Sequence, residues 1–489
     1  MWAESWNQVR TGGLRTVLQI LGVFQVALVL GINDSGFGIV LPFFRNTHGV
    51  SEGLASLVYI MSSAGFVISS FLQGWFADRL GVVGAVCYGI ASTMAAYCLL
   101  ASPTPFGVAL PTFILLGFSL CFIDNGINTV SLLFPAPLST VVLNYTHAFF
   151  GVGGLIGPPV VTSILIAGGC NVGQGEAGTP GDSCPPDVSY LHTWRAAYIV
   201  WIGIGTYIGL FVAGAYLTPW GRKKLADSES GRTEGSGSAT SVTLLDDHVP
   251  AAESVETKGA SDVQSDAIPL EDAEPVETAK SKESSDSPAS QVLVELSSSQ
   301  KYLSAIRKRH VWVGTVFLFV YVGCEVSIGQ WIFTFLSAYR PAPLSTLGPL
   351  VSLFWSGLVI SRILFVPLTH RLGQYRSPYL YMVMSLIGIA LVWAFNSIPV
   401  NGLGLLLAGL GQGPLFPTAI AVVADEITNH KLDHLMSASL ALVVAGGNVG
   451  GAFVPWVVGL LAQSAGVWTI APICLALNVA MAVCWVGMR

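Results

Sequence analysis

Apolar residues run along this chain in long unbroken stretches rather than in alternation. A bilayer core of about 30 Å needs about 20 mainly apolar residues per helix, and twelve stretches meet that need. They lie near residues 17–42, 54–77, 82–101, 108–134, 145–167 and 194–217. After a long polar interval come 311–336, 346–369, 379–397, 402–424, 437–462 and 467–488. We number them spans 1–12. Membrane-spanning strands would instead show alternating segments of about 10 residues. Span 1 is long and holds Asn33 and Asp34, so it does not fit a cleavable signal peptide. The pattern predicts an all-α membrane protein with twelve transmembrane helices in two six-helix bundles.

Composition sharpens this picture. Of 489 residues, 52% are hydrophobic and 10% charged, against roughly a quarter charged in soluble domains. Residues 225–300 hold 16 of the 28 acidic and 4 of the 22 basic residues, so the rest of the chain is slightly basic and very apolar. That split excludes a nucleic-acid binder, a secreted mini-protein and a soluble multidomain enzyme. It predicts a short N-terminus (1–16), a first half (17–217), a cytoplasmic, largely disordered acidic linker (218–310) and a second half (311–489). The linker is rich in Ser, Thr, Glu, Asp, Gly and Pro and too poor in apolar residues to offset chain ordering. It is expected to act as a passive tether, and its hydroxyls could be phosphorylated. The run Arg307 to Arg309 is read first as a topogenic charge, with contact to anionic lipid as the alternative.

Lys and Arg gather on the cytoplasmic ends of spans. With the N-terminus inside, fourteen basic residues flank the cytoplasmic ends, and only Arg45, Arg195 and Arg340 flank the outer ends. Both termini and the linker are therefore expected in the cytoplasm. Cys170 and Cys184 fall in one outer loop, where a disulfide is permitted. The other six cysteines lie in spans, where a thiol behaves as a small hydrophobe.

The halves share a weak repeat. Span 2 ends in Arg79-Leu80-Gly81 and span 8 in Arg371-Leu372-Gly373, and spans 5 and 11 are both Gly-rich. Parallel repeats of this kind place a substrate site near the midplane between two bundles. Gly74, Asp78, Arg79 and Gly81 resemble the signature between the second and third helices of the major facilitator superfamily. The resemblance implies a cytoplasmic gate, with Asp78 latching the halves near the start of span 11, where a helix N-terminus favours a carboxylate. Val83 and Gly84 stand where that signature usually has a basic pair. Asp124 and Asn128 in span 4, the Phe149 to Pro158 stretch of span 5 and the Tyr321 to Trp331 stretch of span 7 resemble the fucose permease branch, in particular fungal members. That resemblance implies cation-coupled sugar uptake, although Phe150 replaces the Asn of bacterial sugar carriers.

Carboxylates inside spans are costly and mark function. Asp34, Asp124 and Glu325 are the candidates for proton coupling. Arg362 is the cation embedded with them, a candidate for an intramembrane ion pair. One cation cannot neutralise three scattered acids, so at least one must face water or carry a proton during the cycle. Asn33, Asn125, Asn128, His147, Gln330, Gln412 and Asn448 could bind hydroxyls, and Trp331 and Trp355 could offer ring faces.

The leading expectation is a secondary active transporter, a proton-coupled symporter of a sugar or similar polar solute working by alternating access. It would be monomeric, in the plasma or vacuolar membrane, with a small-molecule substrate and a coupling ion as partners and no nucleic acid. Alternatives are a proton-driven exporter of drugs or toxins, disfavoured by the lack of Arg in span 4, and a nutrient-sensing receptor that does not transport. An enzyme is least expected. There is no Gly-x-Ser-x-Gly elbow, and we expect no metal-ligand pair at helical spacing and no phosphate loop. No catalytic residue, metal or cofactor is therefore assigned.

Overall fold

The computed structural model describes residues 2–135, 137–174, 180–183, 194–216, 303–432 and 435–488. In the first half, the helices are α1 (Trp2–His48), α2 (Glu52–Ala55), α3 (Leu57–Ala101), α4 (Phe106–Leu132), α5 (Leu138–Ala167) and α6 (Arg195–Tyr216). In the second half, they are α7 (Arg309–Tyr339), α8 (Leu344–Leu364), α9 (Val366–Leu372), α10 (Ser377–Ala394), α11 (Ile398–Gln412), α12 (Leu415–Asn429), α13 (Met436–Ala465) and α14 (Ile470–Val486). Eleven apolar segments are long enough to cross a membrane, and one of them, Glu52–Ala101, has 50 residues. At about 1.5 Å per residue it would be about 75 Å long, enough for two crossings. It turns at Gly81, so it holds spans 2 and 3, and all twelve spans are present. Helices α11 and α12 together make span 10.

One departure from an all-α chain lies between spans 5 and 6. Asn171–Gln174 pairs antiparallel with Pro180–Ser183. Within this loop Cys170 is disulfide-bonded, while its expected partner Cys184 lies outside the described residues. So does nearly all of the predicted linker.

The sequence repeat has a backbone cause. Gly81 has φ 73 and ψ 161, and Gly373 has φ 81 and ψ 146. Both lie in or beside a region that essentially only glycine occupies, so each Arg-Leu-Gly closes a helix where a side chain would be strained. The helix crossings repeat as well. A Cβ on Gly153 of span 5 would lie 2.0 Å from the Leu28 carbonyl oxygen of span 1, and one on Gly450 of span 11 would lie 2.0 Å from that of Phe319 in span 7. Spans 4 and 2 meet in the same way at Gly117, and spans 10 and 8 at Gly409. Small residues let membrane helices approach to backbone contact, and the same device stands at matching places in both halves.

The alternation of spans places Arg45, Arg195 and Arg340 at one end of the bundle, and all three are held. Arg45 pairs with Glu52. Arg195 donates to the Ser102 carbonyl at 3.3 Å, and Arg340 donates to that of Val392 at 2.6 Å. At this end the two halves share one continuous apolar core, including Phe43, Phe44, Phe113 and Trp194 with Trp331, Phe335 and Leu347. At the opposite end, where the chain termini lie, the first half has a separate core of its own, built from Val23, Val83, Ile127, Val212 and their neighbours. The bundle is thus joined at one end and parted at the other.

Candidate functional site

Asp34 is in the middle of span 1, far from either helix end, yet its residue is exposed. A side chain left uncovered so deep in a span, and within electrostatic reach of Glu325 in the other half, borders a gap between the halves, here called the cavity. Glu325 of the second half and Asp124 of the first are both within electrostatic reach of Asp34.

Their partners differ. Arg362 Nη2 lies 3.5 Å from Glu325 Oε1, and Arg362 Nε donates to the Gly413 carbonyl at 3.2 Å. The single embedded cation is therefore committed to Glu325 in the second half. The carboxylates of Asp34 and Asp124 have no hydrogen-bond or ion-pair partner among the described residues. His147, exposed on span 5, is within electrostatic reach of Arg362 across the cavity.

Other sequence candidates divide into those at the cavity and those in packing. Gln330 donates from Nε2 to the Asp34 backbone carbonyl at 2.8 Å, joining span 7 to span 1. Asn33 accepts from the Tyr97 hydroxyl at 2.7 Å. Asn448 is exposed on span 11. Asn128 keeps a buried Oδ1 without a partner, as do Gln330 Oε1, Trp355 Nε1 and the Tyr59 hydroxyl. Buried polar atoms are seldom left so, and a bound polar ligand is one way to satisfy them. Asn125 instead bonds Gln73 Oε1 at 2.9 Å. Trp331 is fully buried and donates to the Pro455 carbonyl at 3.0 Å, and Gln412 is fully buried against Ser385 and Cys324. Trp355 is wedged between the halves, its ring 3.0 Å from where a Cβ on Gly154 or on Gly329 would stand.

The profile of the Major Facilitator Superfamily matches residues 23–440. The chain belongs to this superfamily. As a member it is a multi-pass membrane transporter of small solutes and not an enzyme. It is similar to Bypass of stop codon protein 6 of Saccharomyces cerevisiae, 21% identical over 94% of this chain and 79% of that one. It is also similar to the glucose/galactose transporter of Brucella abortus, 30% identical over 35% of this chain and 40% of that one. The glucose/mannose transporter GlcP of Bacillus subtilis is 27% identical over 32% of this chain and 38% of that one. The fold is similar to that of the nucleoside transporter NupG, with TM-score 0.64, 12% identity and coverage of 97% and 99% of the two chains.

The superfamily signature sits at the parted end. Nothing lies within 4 Å of a Cβ placed on Gly74 or Gly81. Arg79 rests over the Trp75 ring at 4.4 Å, and Asp78 is exposed, with no bonded partner among the described residues. Among the described residues Asp78 makes no ion pair with span 11. Contact between the halves is found at the other end. There the Gly53 amide donates to Gln463 Oε1 at 3.1 Å, and Ser56 donates to the Trp456 carbonyl at 3.4 Å.

Sequence reasoning missed the tyrosines around the acids. Tyr59 and Tyr97 both lie within electrostatic reach of Asp34, and nothing in their spacing along the chain signals it. Tyr321 precedes Glu325 by one helical turn, which places both on one face and was a usable signal. The expectation of no metal-ligand pair at helical spacing is corrected: Glu426 and His430 are four residues apart at the end of α12, and His310 joins them. That pair was visible in the sequence, but its third member comes from a different helix.

Proposed function

We propose that the chain is a proton-coupled symporter of a sugar-like, polyhydroxylated solute, working by alternating access. Both termini are cytoplasmic in this reading, so the conformation is open to the cytoplasm and sealed outside. The observation that carries it is the division of charge. Glu325 has the intramembrane cation Arg362, and the carboxylates of Asp34 and Asp124 have none among the described residues, although Asp34 is exposed in the cavity. Such a carboxylate lowers its electrostatic cost by taking up a proton or a small cation. Asp34 is the coupling site, and Asp124, a helical turn from Asn128, links proton and solute.

The unpartnered atoms supply both hydrogen-bond donors and acceptors, which suits hydroxyl groups. The named substrates of the two bacterial relatives are hexoses, and that supports the same class here. The test is transport in proteoliposomes with an imposed pH gradient, using labelled sugars and polyols. Asp34→Asn keeps side-chain size but cannot release a proton, so uphill uptake is lost while equilibrium exchange persists. A residue needed for binding loses both. Full pH-driven accumulation in both Asp34→Asn and Asp124→Asn would refute the mechanism.

A further inference from the structure

The end of the bundle that carries the chain termini holds a cluster remote from the cavity. His310 is the second residue of α7, and Glu426 and His430 lie one helical turn apart at the end of α12. One ligand atom from each lies within 4.8 Å of the others. The two imidazoles stack with centroids 5.0 Å apart and planes 27° apart. Glu426 Oε2 is 3.8 Å from His430 Nε2.

We propose that His310, Glu426 and His430 form a binding site for a divalent transition-metal cation of the zinc type. Two imidazoles and one carboxylate are a recognised ligand set for zinc. Calcium and magnesium prefer all-oxygen shells, which this cluster does not offer. Bonds of about 2.0–2.2 Å at the tetrahedral angle place ligand atoms about 3.4 Å apart. His430 is exposed and His310 half-buried, so modest side-chain rotation closes the present spacing.

A support shell is already in place around the carboxylate. The Tyr375 hydroxyl donates to Glu426 Oε1, which leaves Oε2 turned toward His430. The Tyr375 backbone carbonyl is held by Trp485 Nε1 at 3.0 Å, and the neighbouring Gln374 side chain donates to Asp425 Oδ2. Outer partners that orient a ligating carboxylate are a regular part of metal sites. A cation here joins the first turn of α7, where the linker ends, to the C-terminal end of α12. It stands about 22 Å along span 7 from Glu325, fifteen residues on, so it is a staple within the second half and not part of the transport path.

The test uses the full-length protein, purified in detergent and stripped with a chelator. Zinc titrated calorimetrically into the wild type occupies a site that is lost in the double variant His310→Ala/His430→Ala. Zinc raises the unfolding temperature of the wild type and leaves that of the double variant unmoved, which separates binding here from binding by the acidic linker present in both. Tyr375→Phe keeps all three ligands and weakens binding by about 10–100-fold, the usual effect of losing an outer partner. Cobalt bound in place of zinc gives a tetrahedral ligand-field spectrum that the double variant lacks. If the two proteins take up zinc with equal stoichiometry and affinity, or the wild type takes up none, the site is refuted. Should the double variant misfold, His430→Asn alone, at an exposed position, carries the same comparison.

Discussion

The ion pair between Arg362 and Glu325 can be measured by a double-mutant cycle. The perturbations are Glu325→Gln, Arg362→Gln and the two together. At the observed 3.5 Å, an effective dielectric of about 20 gives an attraction of about 5 kcal/mol. The side chains are 34% exposed for Arg362 and 14% for Glu325. This partial exposure screens the pair, and desolvation offsets part of the attraction. A net coupling of about 1–2 kcal/mol remains, above the usual surface value. Each single variant leaves a partly buried charge alone, so each is destabilised by more than the double variant would imply. The assay is reversible unfolding in mixed detergent and SDS, followed for all four proteins. A coupling below about 0.3 kcal/mol, the ordinary scatter of additive sites, would show that Arg362 is not committed to Glu325. The cation would then be free to serve Asp34 or Asp124, and the charge division behind the proposed mechanism would fail.

Three further outcomes are expected. Deleting residues 230–290 leaves folding and transport largely intact, because a segment of this composition adds few contacts; loss of both expression and uptake would show that the linker folds or recruits. Gly53→Cys with Gln463→Cys, oxidised to a disulfide, fixes the joined end of the bundle, so uptake stops and a reductant restores it; unchanged uptake by fully cross-linked protein would show that this end need not open. Burial, together with donation to Glu426 and the nearby charges of Glu426 and Asp425, pushes the Tyr375 phenol from 10.0 up to about 12. Its folded value lies above the unfolded one, so the stability it contributes is present below pH 10 and is lost as pH rises toward 12; a Tyr375→Phe variant with the same alkaline stability profile as wild type would contradict this.

Sequence alone determined the number of spans, because a bilayer demands about 20 apolar residues for each crossing and tolerates few charges there. It also exposed the duplication, since Gly81 and Gly373 occupy backbone conformations that other residues rarely adopt. Asp34, Asp124, Glu325 and Arg362 stood out for the same reason of cost. Which acid the cation serves was not legible. Arg362 and Glu325 are 37 residues apart on different helices, and only packing of span 7 on span 8 brings them together. The same holds for Tyr97 on Asn33, for Trp355 as a wedge rather than an open ring face, and for His310 beside Glu426. Composition and spacing report what each helix presents along itself, through local periodicity and solvent cost. Partners across helices, and which end of the bundle is parted, depend on contacts between distant segments, and those exist only once the two halves have packed.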